Sequence, residues 1–352
     1  MRIVTAAKWA LGGVGVLGVL TAAAAVIVVT TPYAGFQGEL LVDLPRGTTT
    51  REMARRLAER GVIRGEGAFL AIRLVRPRAR LQAGEYEFRQ AATPWEVFER
   101  IHRGDVHYYE LTIPEGSNRW EVARLVGQLG FLREEEFARV TGEAKWIQDL
   151  APEATTLEGY LFPSTYRITR HTTEEQLARM MTEQFRVEWK QLGRPAEVHR
   201  LVTLASLVEK ETGVAEERAT VASVYRNRLE RGMRLECDPT VIYAALLENR
   251  YRGTIYRSDL ENPHPYNTYK HAGLPPGPIA NPGRAALEAA LKPAETDYLF
   301  FVARPDGSGR HQFTAALRDH ERAVREYRRG NASRQSEAAG GGVGGSTGGA
   351  RR

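Results

Sequence analysis

The chain has 352 residues and a formal net charge of +6, and 49 of its residues are Lys or Arg against 43 acids. That length allows two or three domains with a sizeable core. One cysteine and eight scattered histidines exclude an internal disulfide and any Cys-built or H-E-x-x-H metal site, and basic residues interleaved with acids argue against a nucleic-acid-binding block.

The first element is apolar. No charged residue occurs from Trp9 to Gly38, and the run "WALGGVGVLGVLTAAAAVIVV" is long enough to span about 30 Å of hydrocarbon as a helix. Arg2 and Lys8 precede it, so the positive-inside rule predicts a cytoplasmic N-terminus (1–8), a transmembrane helix (9–31) and a body on the outer, periplasmic side of the cytoplasmic membrane. A cleaved signal peptide is the alternative, because the alanine run offers A-x-A sites. The apolar stretch is longer than a usual signal core, which favours an uncleaved anchor.

An internal repeat follows. "LPRGTTTREMARRLAERGVI" (44–63) and "IPEGSNRWEVARLVGQLGFL" (113–132) align without gaps. Each reads as a strand end, a P-x-G turn, a capped helix and a glycine stop, with capping boxes at Thr49/Glu52 and Asn118/Glu121. A third capped start lies at Thr93 to Glu96 with Pro94 at the first helical position, and "LQAGEYEF" (81–88) alternates like a strand. These modules suit either a scaffold or a glycan-binding element.

From about Glu197 the pattern turns helical. "HRLVTLASLVEKE" predicts one helix ended by Gly213, and "ATVASVYRNRLERG" a second stopped at Gly232. Asp238-Pro239 and Asn281-Pro282 read as caps followed by proline at the first helical position. "DYLFFVARPDGSGRHQF" predicts a hairpin about Asp306-Gly307, a last helix runs from about Thr314 to Arg329, and the Gly/Ser/Ala-rich residues 331–352 form a tail.

On the helix from His199, the residues His199, Thr203, Ser206 and Lys210 make the only polar stripe. Glu209 and Glu211 fall on apolar sides roughly 160° apart, so they cannot share one site. A carboxylate on an apolar face holds its proton more tightly, as the general acid of a sugar-cleaving enzyme must. The plainer alternative is that both lie at a frayed helix end, solvated or paired with Arg218 and Arg226. Periodicity does not choose between the two glutamates. The segments "LEGYLFPSTY" (157–166) and "HPYNTYKHAGLPPGPIANPG" (264–283) are aromatic, and the second has no regular period, as functional loops often do.

In this order, "EGYLFPSTY", "LASLVEKET", "RLERGMRLECDPTVIYA", "PYNTY" and "GLPPGPIANPG" resemble the endolytic murein transglycosylases of the YceG-like family. The resemblance implies an α+β protein: a transmembrane helix, a small LysM-like subdomain (38–105), a connecting region with the second repeat (106–190), and a mainly helical catalytic domain (191–330) with a C-terminal hairpin. It implies cleavage within peptidoglycan between N-acetylmuramic acid and N-acetylglucosamine, leaving 1,6-anhydro ends. The family's catalytic glutamate matches Glu209. Substrate-binding expectations fall on Tyr266, Asn267, Thr268, Tyr269, Glu158, Tyr166 and Asp238. Cys237 departs from the small polar residue that similar sequences place before Asp-Pro. Expected partners are glycan strands, the membrane and peptidoglycan synthases, without metal, cofactor or nucleic acid. Two rival functions are a hydrolytic muramidase with Asp238 as second carboxylate and a non-catalytic glycan-binding scaffold.

Overall fold

A computed structural model describes residues 20, 23, 26–193 and 196–340. Most of the expected transmembrane segment lies outside these residues, and among the described residues no helix is long and apolar enough to cross a membrane. The architecture is mixed α+β, mostly helical, with three two-stranded sheets. The chain divides into two compact units, Met1–Glu110 with Arg167–Thr172, and Leu111–Tyr166 with Thr173–Arg352.

The first unit runs β1 (Leu40–Leu44), α1 (Thr50–Glu59), α2 (Glu66–Val75), β2 (Gly84–Phe88), α3 (Pro94–Arg103). Strands β1 and β2 pair antiparallel, Leu40 opposite Phe88 and Leu44 opposite Gly84. Period-two alternation turns Val42 and Leu44 inward against Met53, Leu57, Phe69, Ile72 and Tyr86, all buried. Phe69 and Phe98 close the core with ring centroids 5.2 Å apart. Thr93 and Glu96 form a full reciprocal capping box with Pro94 behind it. At Thr49 only half of the predicted box exists. Its hydroxyl accepts from the Glu52 N–H, while the Glu52 carboxylate is drawn away by Arg55 and Arg56.

The second unit holds most of the helices. The division between the units falls within strands β3 (Tyr109–Thr112) and β4 (Thr165–Ile168), which pair with each other. Helices α4 (Arg119–Gly127), α5 (Glu134–Thr141) and α6 (Glu174–Gln191) pack in sequence, and α4 carries the complete Asn118/Glu121 box. The centre is α7 (Val198–Glu211), against which α8 (Arg218–Glu230), α9 (Asp238–Leu247) and α11 (Arg284–Leu291) pack; α10 (Arg257–Leu260) is a single turn. Every residue of α7 from Val202 to Val208 is buried. Within its predicted polar stripe Thr203 and Ser206 are therefore buried, His199 is half-buried and Lys210 is exposed. Ser206 Oγ accepts from the Ile279 N–H at 3.1 Å, and His199 lies 2.8 Å from the Tyr160 hydroxyl and 2.9 Å from the Pro276 carbonyl.

The hairpin β5 (Phe300–Ala303) and β6 (His311–Thr314) is antiparallel, as its sequence predicts. It is tied down by Arg228, whose Nε donates to the Leu299 carbonyl, and by Glu217, which accepts from the His311 N–H. Helix α12 (Leu317–Gly340) continues ten residues into the segment expected to be a tail.

Two predicted caps are corrected. Asp238 is the first residue of α9, and the cap position belongs to Cys237 without a side-chain cap bond. Asn281 does not cap α11 either; Gly283 holds that position. The Asn281 side chain is instead committed to neighbours inside the unit, because it is completely buried there.

Candidate active site

The last turn of α7 meets two loops. One is the P-x-G turn of the second repeat, Pro114-Glu115-Gly116, with Gly116 at φ 74°. The other is the segment from Pro275 to Gly283. They are sewn together by backbone: the Gly116 N–H donates to the Asn281 carbonyl and the Asn281 N–H to the Ser117 carbonyl, each at 2.9 Å. Lys210 Nζ donates to the Gly116 carbonyl at 3.1 Å, which fixes α7 to the same turn.

Glu209 sits at this junction with its side chain 6% exposed. Its Oε2 accepts from the Gly283 N–H at 2.9 Å, and its Oε1 faces Arg218 Nη2 at 3.5 Å. Burial holds its carboxyl above the usual carboxylate range. The Gly283 N–H opposes that shift, the nearby Glu115 carboxylate adds to it, and Arg218 opposes it. A Cβ at position 283 would meet the Glu115 carboxylate, which as the far end of a flexible side chain would have to shift. Glu211 lies elsewhere: its Oε2 accepts from the Tyr225 hydroxyl at 3.1 Å and faces Cys237 Sγ at 3.6 Å. The helical-wheel separation of the two glutamates is thus reproduced. A raised carboxyl pKa does not distinguish them, because burial also lifts Glu211.

Behind the junction Glu158 is 2% exposed. It accepts from the Arg119 N–H at 3.1 Å, the Tyr243 hydroxyl at 3.0 Å and Asn281 Nδ2 at 3.2 Å. Burial pushes its pKa up to about 7 although these donors favour the anion. Asn281 Oδ1 accepts from the Leu161 N–H at 2.9 Å. Next to Glu158, Gly159 takes φ 88°, and a Cβ there would lie 2.5 Å from the Pro278 ring. Gly159 is therefore dictated by the approach of the proline-rich loop, and Glu158 by the donors that converge on it.

The other expected site residues divide by burial. Asn267 and Thr268 are buried and bonded within the protein. Asn267 Nδ2 donates to the Asn262 carbonyl at 2.7 Å, and Thr268 Oγ1 accepts from the Cys237 N–H at 3.0 Å. Tyr166 is buried, with its hydroxyl donating to the Phe162 carbonyl. Tyr266 and Tyr269 are half-buried. Tyr266 stands 5.0 Å from the ring of Tyr243, which is buried and in turn lies 5.5 Å from Trp120, so Tyr266 and Trp120 are the partly exposed members of this aromatic row. The Tyr269 hydroxyl donates to Asp238 Oδ1 at 2.6 Å.

Three neighbours of Glu209 were not singled out as site residues by sequence reasoning. Arg218 was considered only as the partner of a solvated glutamate, and Gly283 only as part of a loop. Glu115 had a visible signal: the two repeat copies share Pro and Gly in the turn but place Arg46 in one and Glu115 in the other.

A largely buried carboxylate that accepts a backbone N–H, with a second carboxylate beside it on a mainly helical α+β frame, is an arrangement able to give and take a proton. Residues 42–326 match the model of the YceG-like family, and the chain belongs to that family. It is 33% identical over 310 residues to the endolytic murein transglycosylase of Bacillus subtilis strain 168, covering 81% of this chain and 84% of that one. It is 30% identical over 319 residues to the endolytic murein transglycosylase of Streptococcus pneumoniae R6, covering 81% of this chain and 58% of that longer protein. The crystal structure of a YceG-like protein from Listeria monocytogenes aligns with a TM-score of 0.52 at 30% identity, over 82% of this chain and 99% of that one.

Proposed function

We propose that this chain is an endolytic murein transglycosylase that cuts the MurNAc-β-1,4-GlcNAc bond within nascent peptidoglycan strands, ending their elongation. The observation that carries this reading is Glu209, a nearly buried carboxyl whose proton is retained by burial beside a single backbone donor. In the first step protonated Glu209 gives its proton to the glycosidic oxygen as the bond to C1 breaks, and positive charge develops on the sugar ring. In the second step the C6 hydroxyl attacks C1, and the Glu209 carboxylate takes the hydroxyl proton. The product is a 1,6-anhydro end, no water is consumed, and Glu209 is regenerated in its acid form. One carboxyl does the work of two because acid and base act in sequence.

Glu115 favours a second reading, hydrolysis by a muramidase. It is the carboxylate beside Glu209, whereas Asp238 is engaged by Tyr269 and acts on the charge of Glu211. Mass spectrometry of defined glycan strands digested by the full chain separates the two. Transglycosylation gives ends lighter by one water than hydrolysis does, and reducing ends as the main product would overturn the leading reading. A protein carrying Glu209→Gln that replaces the original fully in cells would support the scaffold instead.

The β-α-α-β order of β1, α1, α2 and β2 supports a LysM-like subdomain that holds a long strand and raises its local concentration. Removal of residues 38–105 should then slow cleavage of long strands more than of short ones; an unchanged preference in a folded protein excludes this role. The uncharged segment behind Arg2 and Lys8 supports a single-pass anchor with the body outside the cytoplasm. A reporter fused after residue 330 should be active only outside. Cytoplasmic activity, or a mature N-terminus near Tyr33, contradicts that topology.

A further inference from the structure

Arg218 borders a cavity as well as Glu209. The cavity is about 540 Å³ and is lined by Arg218, Arg284 and Lys292, with Leu192, Leu291 and Glu288 among the other walls. The one acid of these six is spent, because Glu288 holds Arg284 Nε at 2.8 Å. Arg284 is further occupied by Glu188 at 3.0 Å. Arg218 is in a different condition. Its side chain is 13% exposed, its bond to Glu209 is long at 3.5 Å, and its buried Nε has no hydrogen-bond partner among the described residues. A guanidinium carries five donors in a planar fork, and burying that fork with one long bond is costly unless a ligand completes it. The complement of the fork is a carboxylate, which takes two parallel bonds.

We propose that this cavity is the subsite for the carboxylate-bearing peptide stem of the muramoyl residue whose bond is cleaved, with Arg218 as the group that binds a stem carboxylate. The proposal rests on the transglycosylase reading for its substrate and adds that peptide-bearing strands, not bare glycan, are the preferred form. Neutral sugars and their acetamido groups offer nothing that needs the unpaired fork of Arg218 with Lys292 beside it, whereas the stem carries carboxylates on the same muramoyl residue. A cavity of this size suits a peptide portion of the ligand. Arg218 otherwise weakens the hold of Glu209 on its proton, and a carboxylate on the guanidinium offsets that influence just when the acid is needed.

The test compares the full chain in detergent on uncrosslinked strands with stems and on the same strands stripped by an amidase, with the lactyl carboxylates so exposed then capped as methylamides. A charge-assisted hydrogen bond corresponds to a preference on the order of ten- to a hundredfold in kcat/KM for strands with stems. Arg218→Lys, which keeps the charge and loses the fork, should bring that ratio toward one, and so should Lys292→Glu at the rim if the first variant fails to fold. Equal kcat/KM on both substrates, or a ratio unmoved by a folded variant, overturns the proposal. Strands ending in a lipid pyrophosphate provide the other anion source; a preference that follows the phosphate and ignores the stem also overturns it. Binding to the Glu209→Gln protein gives a readout independent of cleavage. Preferential binding of stems without any cleavage by the original chain keeps the subsite and removes the transglycosylase reading.

Discussion

Replacing Glu209 by Gln should lower strand cleavage by at least about a hundredfold, the usual contribution of a positioned acid–base group. The amide preserves size and can still face the Gly283 N–H through its oxygen, but it has no proton to give the leaving sugar. Glu211→Gln should cost far less, because its carboxylate is bonded to Tyr225 and Cys237 away from the two loops that frame Glu209. Steady-state cleavage of defined strands, with circular dichroism as a check on folding, reads both. A reversed ranking with both proteins folded would falsify the assignment. The pH profile supplies a second reading of the same group. The acid must begin protonated, so the rate falls as pH rises through the Glu209 pKa, which burial holds above the ordinary range. Arg218 opposes that shift, so Arg218→Gln should raise the pKa further and move the falling limb to higher pH. A limb that moves down would mean that another group is titrating.

How much of this was legible in the sequence depended on whether a residue's role was local. The repeat, its capped helices and the hairpin are written in short-range chemistry, and β1, β2, α1, α3, α4 and the β5–β6 pair follow it. The separation of Glu209 from Glu211 follows from helical geometry alone. What was not legible was the second layer. The loop from Pro275 to Gly283 looks like an exposed functional segment because it is rich in proline and glycine, yet Ile279, Ala280 and Asn281 are almost or wholly buried. Asn281 and Asp238 precede prolines and read as caps, but long-range partners, Ser117 and Glu158 in one case and Tyr269 in the other, outcompeted the local bond. The polar stripe of α7 implied solvent by its composition. His199 and Ser206 of that stripe meet the Pro276 carbonyl and the Ile279 N–H instead, backbone groups that had to be satisfied.

Glu158 should show the largest stability effect. Glu158→Leu leaves the Arg119 N–H and the Tyr243 hydroxyl buried without this acceptor, while Asn281 Nδ2 keeps the Ser117 carbonyl. At about 1–3 kcal/mol for each stranded donor the loss is about 2–6 kcal/mol, a large share of the stability of an ordinary domain. Denaturant unfolding measures it. A loss below about 1 kcal/mol would show that the two donors find other partners. The carboxylate also predicts a pH dependence. Its folded pKa is about 7 against an ordinary 4.5, so the folded state binds the proton more tightly than the unfolded chain. Its contribution is therefore fully present below about pH 4.5 and declines as pH rises through about 7, by on the order of 3 kcal/mol. Glu158→Gln should remove this slope while lowering stability at every pH, because an amide brings two donors into a pocket of donors. The consequence reaches the reaction through one short path. Glu158 holds Asn281, Asn281 lies two residues before Gly283, and Gly283 supplies the N–H on Glu209. Glu158→Gln should accordingly lower kcat even where the protein remains folded, because the loop that carries the Gly283 N–H loses one of its ties; steady-state cleavage reads it.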